Sequence, residues 1–143
     1  MSTMIRRAAA SDYVHACHML EEAGLPVADL QPGHLVFAAE ADGDVIGAIG
    51  LEAIDHIGLL RSLVVAADAR SAGLGRDLVT VLENDARDRG VRELWLLTID
   101  ADAWFQRHGY KVRDRTDAPA AIRGTAEFSG LCPGDAVLMS KQL

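Results

Sequence analysis

Residues 69–75 read Ala-Arg-Ser-Ala-Gly-Leu-Gly, between an apolar run ending "LRSLVVAAD" and a helical pattern beginning "RDLVTVLENDA". Lacking a Cβ, Gly73 and Gly75 can take positive φ and let a ligand come close to the main chain. A helix starting near Leu74 also leaves its first amides without intrahelical partners, beside the positive end of its dipole. That combination binds phosphates without a lysine. A plain strand-to-helix turn is the other use of the same glycines. Two nucleotide motifs are excluded by inspection. There is no GxxxxGK[ST], and GxGxxG fails because Leu78 and Val79 stand where a third glycine would be.

A second reactive feature lies upstream. Arg61 interrupts "GLLRSLVV", and a guanidinium there is costly unless paired. By period two it shares a face with Leu63 and Val65, while Ser62 points the other way. Its partner is either a structural carboxylate or a bound carboxylate, phosphonate or arsonate-like group, a geometry that arginine's fork suits better than lysine.

The elements that must position these residues follow from periodicity. "TMIRRA" is a short strand. Ser11 or Asp12 then caps a helix with Val14, Cys17, Met19 and Leu20 at helical spacing, ended by Gly24 and Pro26. "VADLQPG" gives one further turn before Pro32. Three antiparallel strands follow, the first two joined at Asp42-Gly43 and the third being "HIGLLRSLVV". Leu74, Leu78, Val81, Leu82 and Ala86 form a helical stripe closed by Gly90. "VRELWLLTI" reads as a strand buried on both faces. "DADAWFQRHG" is a short helix opened by Asp100 or Asp102, "YKVRD" a strand and "AVLMSKQL" a last strand. The order predicts an α+β domain over residues 1–143, a mixed sheet of about seven strands with helices on both faces.

Composition sets the outer bounds. A chain of 143 residues with net charge −7 lacks the basic surface of nucleic-acid or anionic-membrane binders. No apolar stretch reaches the ~20 residues of a membrane span, and "MSTMIRRAAASDY" has no apolar signal core. Two cysteines, Cys17 and Cys132, show no CxxC or CxxH spacing. Neither a structural disulfide nor a metal site is expected, and a reducing cytoplasm is the expected home.

"LVVAADARSAGLGRDLV" resembles the central motif of the GNAT N-acetyltransferase superfamily: a strand ending Leu-x-Val, then Arg/Gln-x-x-Gly-x-Gly/Ala at a helix start. Here these are Leu63, Val65, Arg70, Gly73 and Gly75, and the element order matches over nearly the whole chain. A later family motif, A-x-x-F-Y-x-x-x-G-F, is similar to "AWFQRHGY". The resemblance implies a twisted mixed sheet and acetyl-CoA as cosubstrate. It implies a pyrophosphate held by the amides of Arg70, Ser71, Ala72, Gly73, Leu74, Gly75 and Arg76. The pantetheine arm would lie along Leu63, Val64 and Val65, with the Val65 amide polarising the acetyl carbonyl. The departures are Ala67 for a frequent proline, Ala72 for a common basic residue, and Phe105 where many members carry a thiolate-protonating tyrosine. Phe105 would then line the cofactor with no proton to give. Tyr110 falls on the second motif's core aromatic position, and Tyr13 lies on the first helix.

Acetyl transfer needs a neutral amine against the thioester carbon and a route for its proton. Glu52, His56 and Glu127 are the candidate bases; each also reads as a bland surface or turn residue, and a water chain is the alternative. The tail and "LLRSLVV" are similar to a GNAT branch of arsenic-resistance clusters, on Leu60, Arg61, Ser62, Thr125, Glu127, Phe128, Leu131, Cys132 and Pro133. That implies an amino-acid-like acceptor with an anionic head, arsinothricin or a related glutamate analogue, met by Arg61 with Glu127 and Arg123 lining the pocket. A protein N-acetyltransferase and a non-catalytic acetyl-CoA sensor are the rival readings. A homodimer through strand 136–141 is a candidate assembly.

Overall fold

The computed structural model describes residues 3–25, 27–28, 30–128 and 136–143, with the backbone alone at 70–72. Two compact units are present, Met1–Leu51 with Arg61–Asp85, and Glu52–Leu60 with Ala86–Leu143. β3 (Asp44–Ile54) and β4 (Ile57–Val65) each contribute residues to both.

The first unit begins with β1 (Thr3–Arg7) and α1 (Asp12–Glu22), followed by β2 (Leu35–Ala41), β3, β4 and α2 (Leu74–Asp88). β1 pairs antiparallel with β2 from Thr3↔Ala41 to Arg7↔Phe37, and β2 with β3 from Leu35↔Gly50 to Ala41↔Asp44. The β2–β3 hairpin turns as predicted, with Asp42 at φ 53 and Gly43 at φ 84. Adjacent residues of β3 show where the helices lie. Ala48 packs in a cluster with Ala16 and Leu20 of α1. A Cβ on Gly47 would meet Leu74 and Leu78 of α2. Successive strand residues point to opposite faces, so α1 and α2 cover opposite faces.

α1 differs from its predicted stripe. Its buried positions are Asp12, Ala16 and Leu20, at four-residue steps, while Val14 is 60% exposed. Neither proposed cap forms. Ser11 makes no side-chain capping bond, and the Asp12 carboxylate instead accepts the Ala9 amide at 2.6 Å and the Arg6 guanidinium at 2.7 and 3.0 Å. The C-terminus does close at Gly24, at φ 75, with the Leu25 amide donating to the Leu20 carbonyl at 2.9 Å. The predicted extra turn reduces to a Leu30 N–H to Val27 C=O bond of 3.1 Å, and Pro32 opens a 3₁₀ turn over Pro32–His34. Proline suits a first helical position because its missing N–H has no partner there.

The Asp12 ion pair gives a pH prediction. Hydrogen bonding from Arg6 lowers the Asp12 carboxyl below its ordinary value of 3.8, against an opposing contribution from burial. A depressed folded-state value means the stabilisation is present above the unfolded value and is lost as pH falls through the folded one. Asp12→Asn is therefore expected to cost about 2 kcal/mol at neutral pH. It should also flatten the acid limb of the stability profile, measured by denaturant unfolding between pH 2 and 7. An acid limb unchanged from wild type would contradict this role.

In the second unit the start of β4 pairs parallel with β5 (Glu93–Thr98), from Ile57↔Glu93 to Leu59↔Trp95. β5 pairs antiparallel with β7 (Val137–Gln142) along its whole length, and β7 with β6 (Lys111–Arg113). Leu94, Trp95 and Leu96 are buried in succession, the predicted mark of a strand covered on both faces. The seven strands run in the order β1-β2-β3-β4-β5-β7-β6. The sheet is mixed, as predicted. α3 (Asp102–Gln106) is preceded by Ala101, whose amide donates to Thr98 Oγ1 at 3.1 Å, so neither predicted aspartate is its cap. α4 (Ala120–Arg123) lies in a stretch that periodicity left unassigned, and its Ile122 packs with Leu59, Trp95, Ala118 and Leu138. Among the described residues no helix is long and apolar enough to cross a membrane.

Candidate functional site

Within the first unit, β4 carries the apolar run into the glycine-rich turn. Val64 is buried in the cluster beneath α1, Val65 ends the strand, and Leu63 is left half-buried. A 3₁₀ segment, Ala67–Ala72, follows. Gly73 then sits at φ 76, ψ 14, the left-handed conformation that glycine adopts without the Cβ penalty. α2 begins at the next residue, and its Asp77 amide donates to the Gly73 carbonyl at 3.1 Å. The amides before Asp77 have no carbonyl four residues back within the helix. Gly75 is helical and absent from the positive-φ residues, so its conformational freedom is not used.

α2 is held by an apolar stripe, with Leu74, Leu78, Leu82 and Ala86 buried at four-residue steps. Arg7 Nη2 donates to Asp85 Oδ1 at 2.6 Å and ties α2 to β1. The helix therefore presents a fixed N-terminus. Arg76 reaches back over it: a Cβ on Gly73 would lie 3.2 Å from Arg76 Nη2. The same Nη2 is 3.5 Å from Asp77 Oδ1 on an exposed pair. Backbone amides, a helix dipole and one guanidinium thus converge on the turn, which is suited to a pyrophosphate. A Cβ at Gly73 would enter that space.

Arg61 is 2% exposed, and its Nε donates to Ser62 Oγ at 3.2 Å. Ser62 corrects the predicted face. It lies at φ 59, a left-handed residue inside a strand, and strict alternation fails across it. A Cβ on Gly50, which shares a face with Ala48, would lie 3.4 Å from Arg61 Cγ and 2.7 Å from the His34 carbonyl. Arg61 therefore shares the α1 face with Val64, not a face with Leu63 and Val65. On α1, the Tyr13 hydroxyl donates to the Leu30 carbonyl at 2.6 Å. The Tyr13 phenol is held above its ordinary pKa, first by its hydrogen bond with Cys17 and then by burial, while the charge of Arg61 acts the other way. Tyr13 and Cys17 both pack against the cluster that holds Val64. Periodicity drew attention to Cys17 only as an apolar position, and Tyr13 carried no motif.

The other predicted residues belong to the second unit. His56 is exposed in the β3–β4 turn, and its carbonyl accepts the Arg92 amide at 2.7 Å. His56 directly precedes β4, whose last residue is Val65. Glu52 is half-buried near the end of β3. Arg123 is exposed, and its Nη2 donates to the Thr116 carbonyl at 2.6 Å, which fixes the 116–123 segment. Glu127 is 6% exposed and helical. Leu131, Cys132 and Pro133 lie outside the described residues. Phe105 is 6% exposed, edge-on to Trp104 at 4.9 Å and to Tyr110 at 5.5 Å. Among the described residues no group of three or more histidine, cysteine or acidic side chains could hold a metal.

A mixed sheet whose fourth strand leads through a left-handed glycine into an amphipathic helix is the arrangement that comparison with known proteins recognises. The sequence matches the acetyltransferase (GNAT) family over residues 4–110, and the chain belongs to that family. It is 35% identical over 88 residues to an N-acetyltransferase of Chlorobaculum tepidum named as uncharacterized, covering 60% of this chain and 56% of that one. It is 38% identical over 77 residues to an amino-acid acetyltransferase of Shewanella oneidensis, covering 52% of this chain and 17% of that protein. The aligned stretches thus span about half of the first relative and under a fifth of the second. Neisseria gonorrhoeae N-acetylglutamate synthase, solved with coenzyme A and N-acetyl-glutamate, shares the fold at TM-score 0.84 and 21% identity. That match covers 100% of this chain and 35% of the synthase chain. A Mycobacterium tuberculosis protein in complex with CoA matches at TM-score 0.81 and 23% identity, over 98% of this chain and 99% of that one.

Proposed function

We propose that this chain transfers the acetyl group of acetyl-CoA to the primary amine of a small amino-acid-like acceptor with an anionic head. The observation that carries the reading is the turn at Gly73, left-handed and followed at once by the N-terminus of α2 with Arg76 over it. The amides from Gly73 to Arg76 would hold the pyrophosphate, together with those of Arg70, Ser71 and Ala72. The pantetheine arm would follow Leu63–Val65, placing the thioester near Val65.

The reaction is direct attack in a ternary complex. The acceptor nitrogen bonds to the thioester carbon, the oxyanion collapses, and the carbon–sulfur bond breaks. Coenzyme A leaves as a thiolate, which is acidic enough as a thiol to need no enzymic acid. The amine proton leaves to solvent. Arg61 would bind the acceptor's anionic group. This reading is supported by the buried, charged fork on the α1 face and by relatives named amino-acid acetyltransferase. Glutamate, phosphinothricin and arsinothricin all carry the required amine and anionic head.

Thiol release from acetyl-CoA across a panel of amines tests the reading. The panel holds free amino acids, these glutamate analogues, aminoglycosides, polyamines and short peptides. Release confined to acidic amino acids and their analogues is the expected result. Release with peptides alone would replace it by protein acetylation, and tight acetyl-CoA binding without turnover by a sensor.

Phe105 gives a separate expectation. Phe105→Tyr should change kcat less than about threefold, because the leaving thiolate needs no proton donor at this position. The added hydroxyl enters a buried aromatic group and should lower stability by about 1–3 kcal/mol. A kcat gain of tenfold or more would show that thiolate protonation limits turnover.

A further inference from the structure

The described residues of the connection between α1 and β2, 23–25, 27–28 and 30–34, carry short-range backbone bonds. Gly24 donates to Glu21, Leu30 to Val27 and His34 to Gln31. Leu25, Val27 and Leu30 anchor it on the cluster that contains Ala16, Leu20 and Val64. One polar tie has a much longer span. Tyr13 Oη donates to the Leu30 carbonyl at 2.6 Å, across 17 residues of sequence. The His34 end of this connection lies near Arg61. Its charge acts on the Tyr13 phenol, and its Cγ and the His34 carbonyl both crowd the position where Gly50 would carry a Cβ.

We infer that Tyr13 is a positioning residue whose hydroxyl latches the Leu30–His34 end of the connection near Arg61 and thereby sets affinity for the acceptor. This rests on acetyl transfer to an anionic amino acid as the function. The geometry explains why a phenol serves here. Its ring sits in the apolar cluster with Cys17, while its tip reaches a backbone carbonyl that no aliphatic side chain could hold. The latch acts on the connection that borders Arg61, and the Gly73 turn follows the far end of β4. Acceptor and cofactor affinities should therefore separate.

Tyr13→Phe removes the hydroxyl and keeps the ring. In the full chain, KM for L-glutamate is expected to rise about fivefold, the loss of one neutral hydrogen bond, with KM for acetyl-CoA unchanged. Amide hydrogen exchange at 27–34 should quicken about fivefold, with exchange at 78–85 in α2 unchanged. Equal rises in both KM values, or faster exchange throughout, would show a general structural role and overturn the latch. Faster exchange at 27–34 with an unaltered glutamate KM would overturn its link to the acceptor. If the wild type acetylates no acidic amino acid, the proposed function fails, and the exchange measurement alone decides whether Tyr13 holds the connection.

Discussion

Gly73→Val is expected to abolish acetyl-CoA binding, raising Kd at least ~100-fold, or about 2.7 kcal/mol. Two effects add. The backbone at φ 76 is left-handed, which a β-branched residue adopts only with strain, so the turn would move. The new side chain would also stand against Arg76 Nη2, 3.2 Å from the Cβ position, within the space assigned to the pyrophosphate. Loss of two charge-assisted bonds from amides to phosphate, each about 1.5–3 kcal/mol, is enough to reach that figure. Titration calorimetry with acetyl-CoA checks it, with thermal unfolding alongside to show that α2 still folds. Unchanged affinity in a folded variant would remove the cradle assignment and the function built on it.

Arg61→Ala carries the second large effect. A bidentate guanidinium–carboxylate pair lost from a buried site should raise the acceptor KM about 100-fold. The Kd for acetyl-CoA should move less than about twofold, because Arg61 lies on the α1 face with Val64. Burial at 2% exposure means the substitution also lowers stability, so the informative quantity is the ratio of the two effects. Arg61→Lys separates charge from shape. A lysine keeps the charge and loses the fork, and should recover only part of the affinity. Equal losses for acceptor and cofactor would make Arg61 a structural arginine.

Several features that position the Gly73 turn were legible in residue order because they depend on local chemistry. Asp42-Gly43 demanded a hairpin, since glycine and aspartate tolerate the positive φ that its turn requires. The four-residue spacing from Leu74 to Ala86 demanded a helix, and Gly73 before it allowed a left-handed entry, as Gly75 did where none formed. Other assignments failed where distant groups competed. Asp12 looks like a helix cap, but Arg6 and the Ala9 amide claim its carboxylate instead.

The face of Arg61 shows the division most clearly. The sequence by itself determined that a guanidinium would stand in an apolar strand, four residues before its last residue Val65, and that it would need a partner. Counting by twos then placed it with Leu63 and Val65, because alternation assumes every residue is extended. Ser62 adopts the left-handed region, for which serine carries no local signal, and one such residue reverses the faces that follow. Only the tertiary structure decided that Arg61 shares the α1 face with Val64. Gly50, which has no side chain to occupy that space, and the packing of α1 on β3 leave the guanidinium stem room on that face.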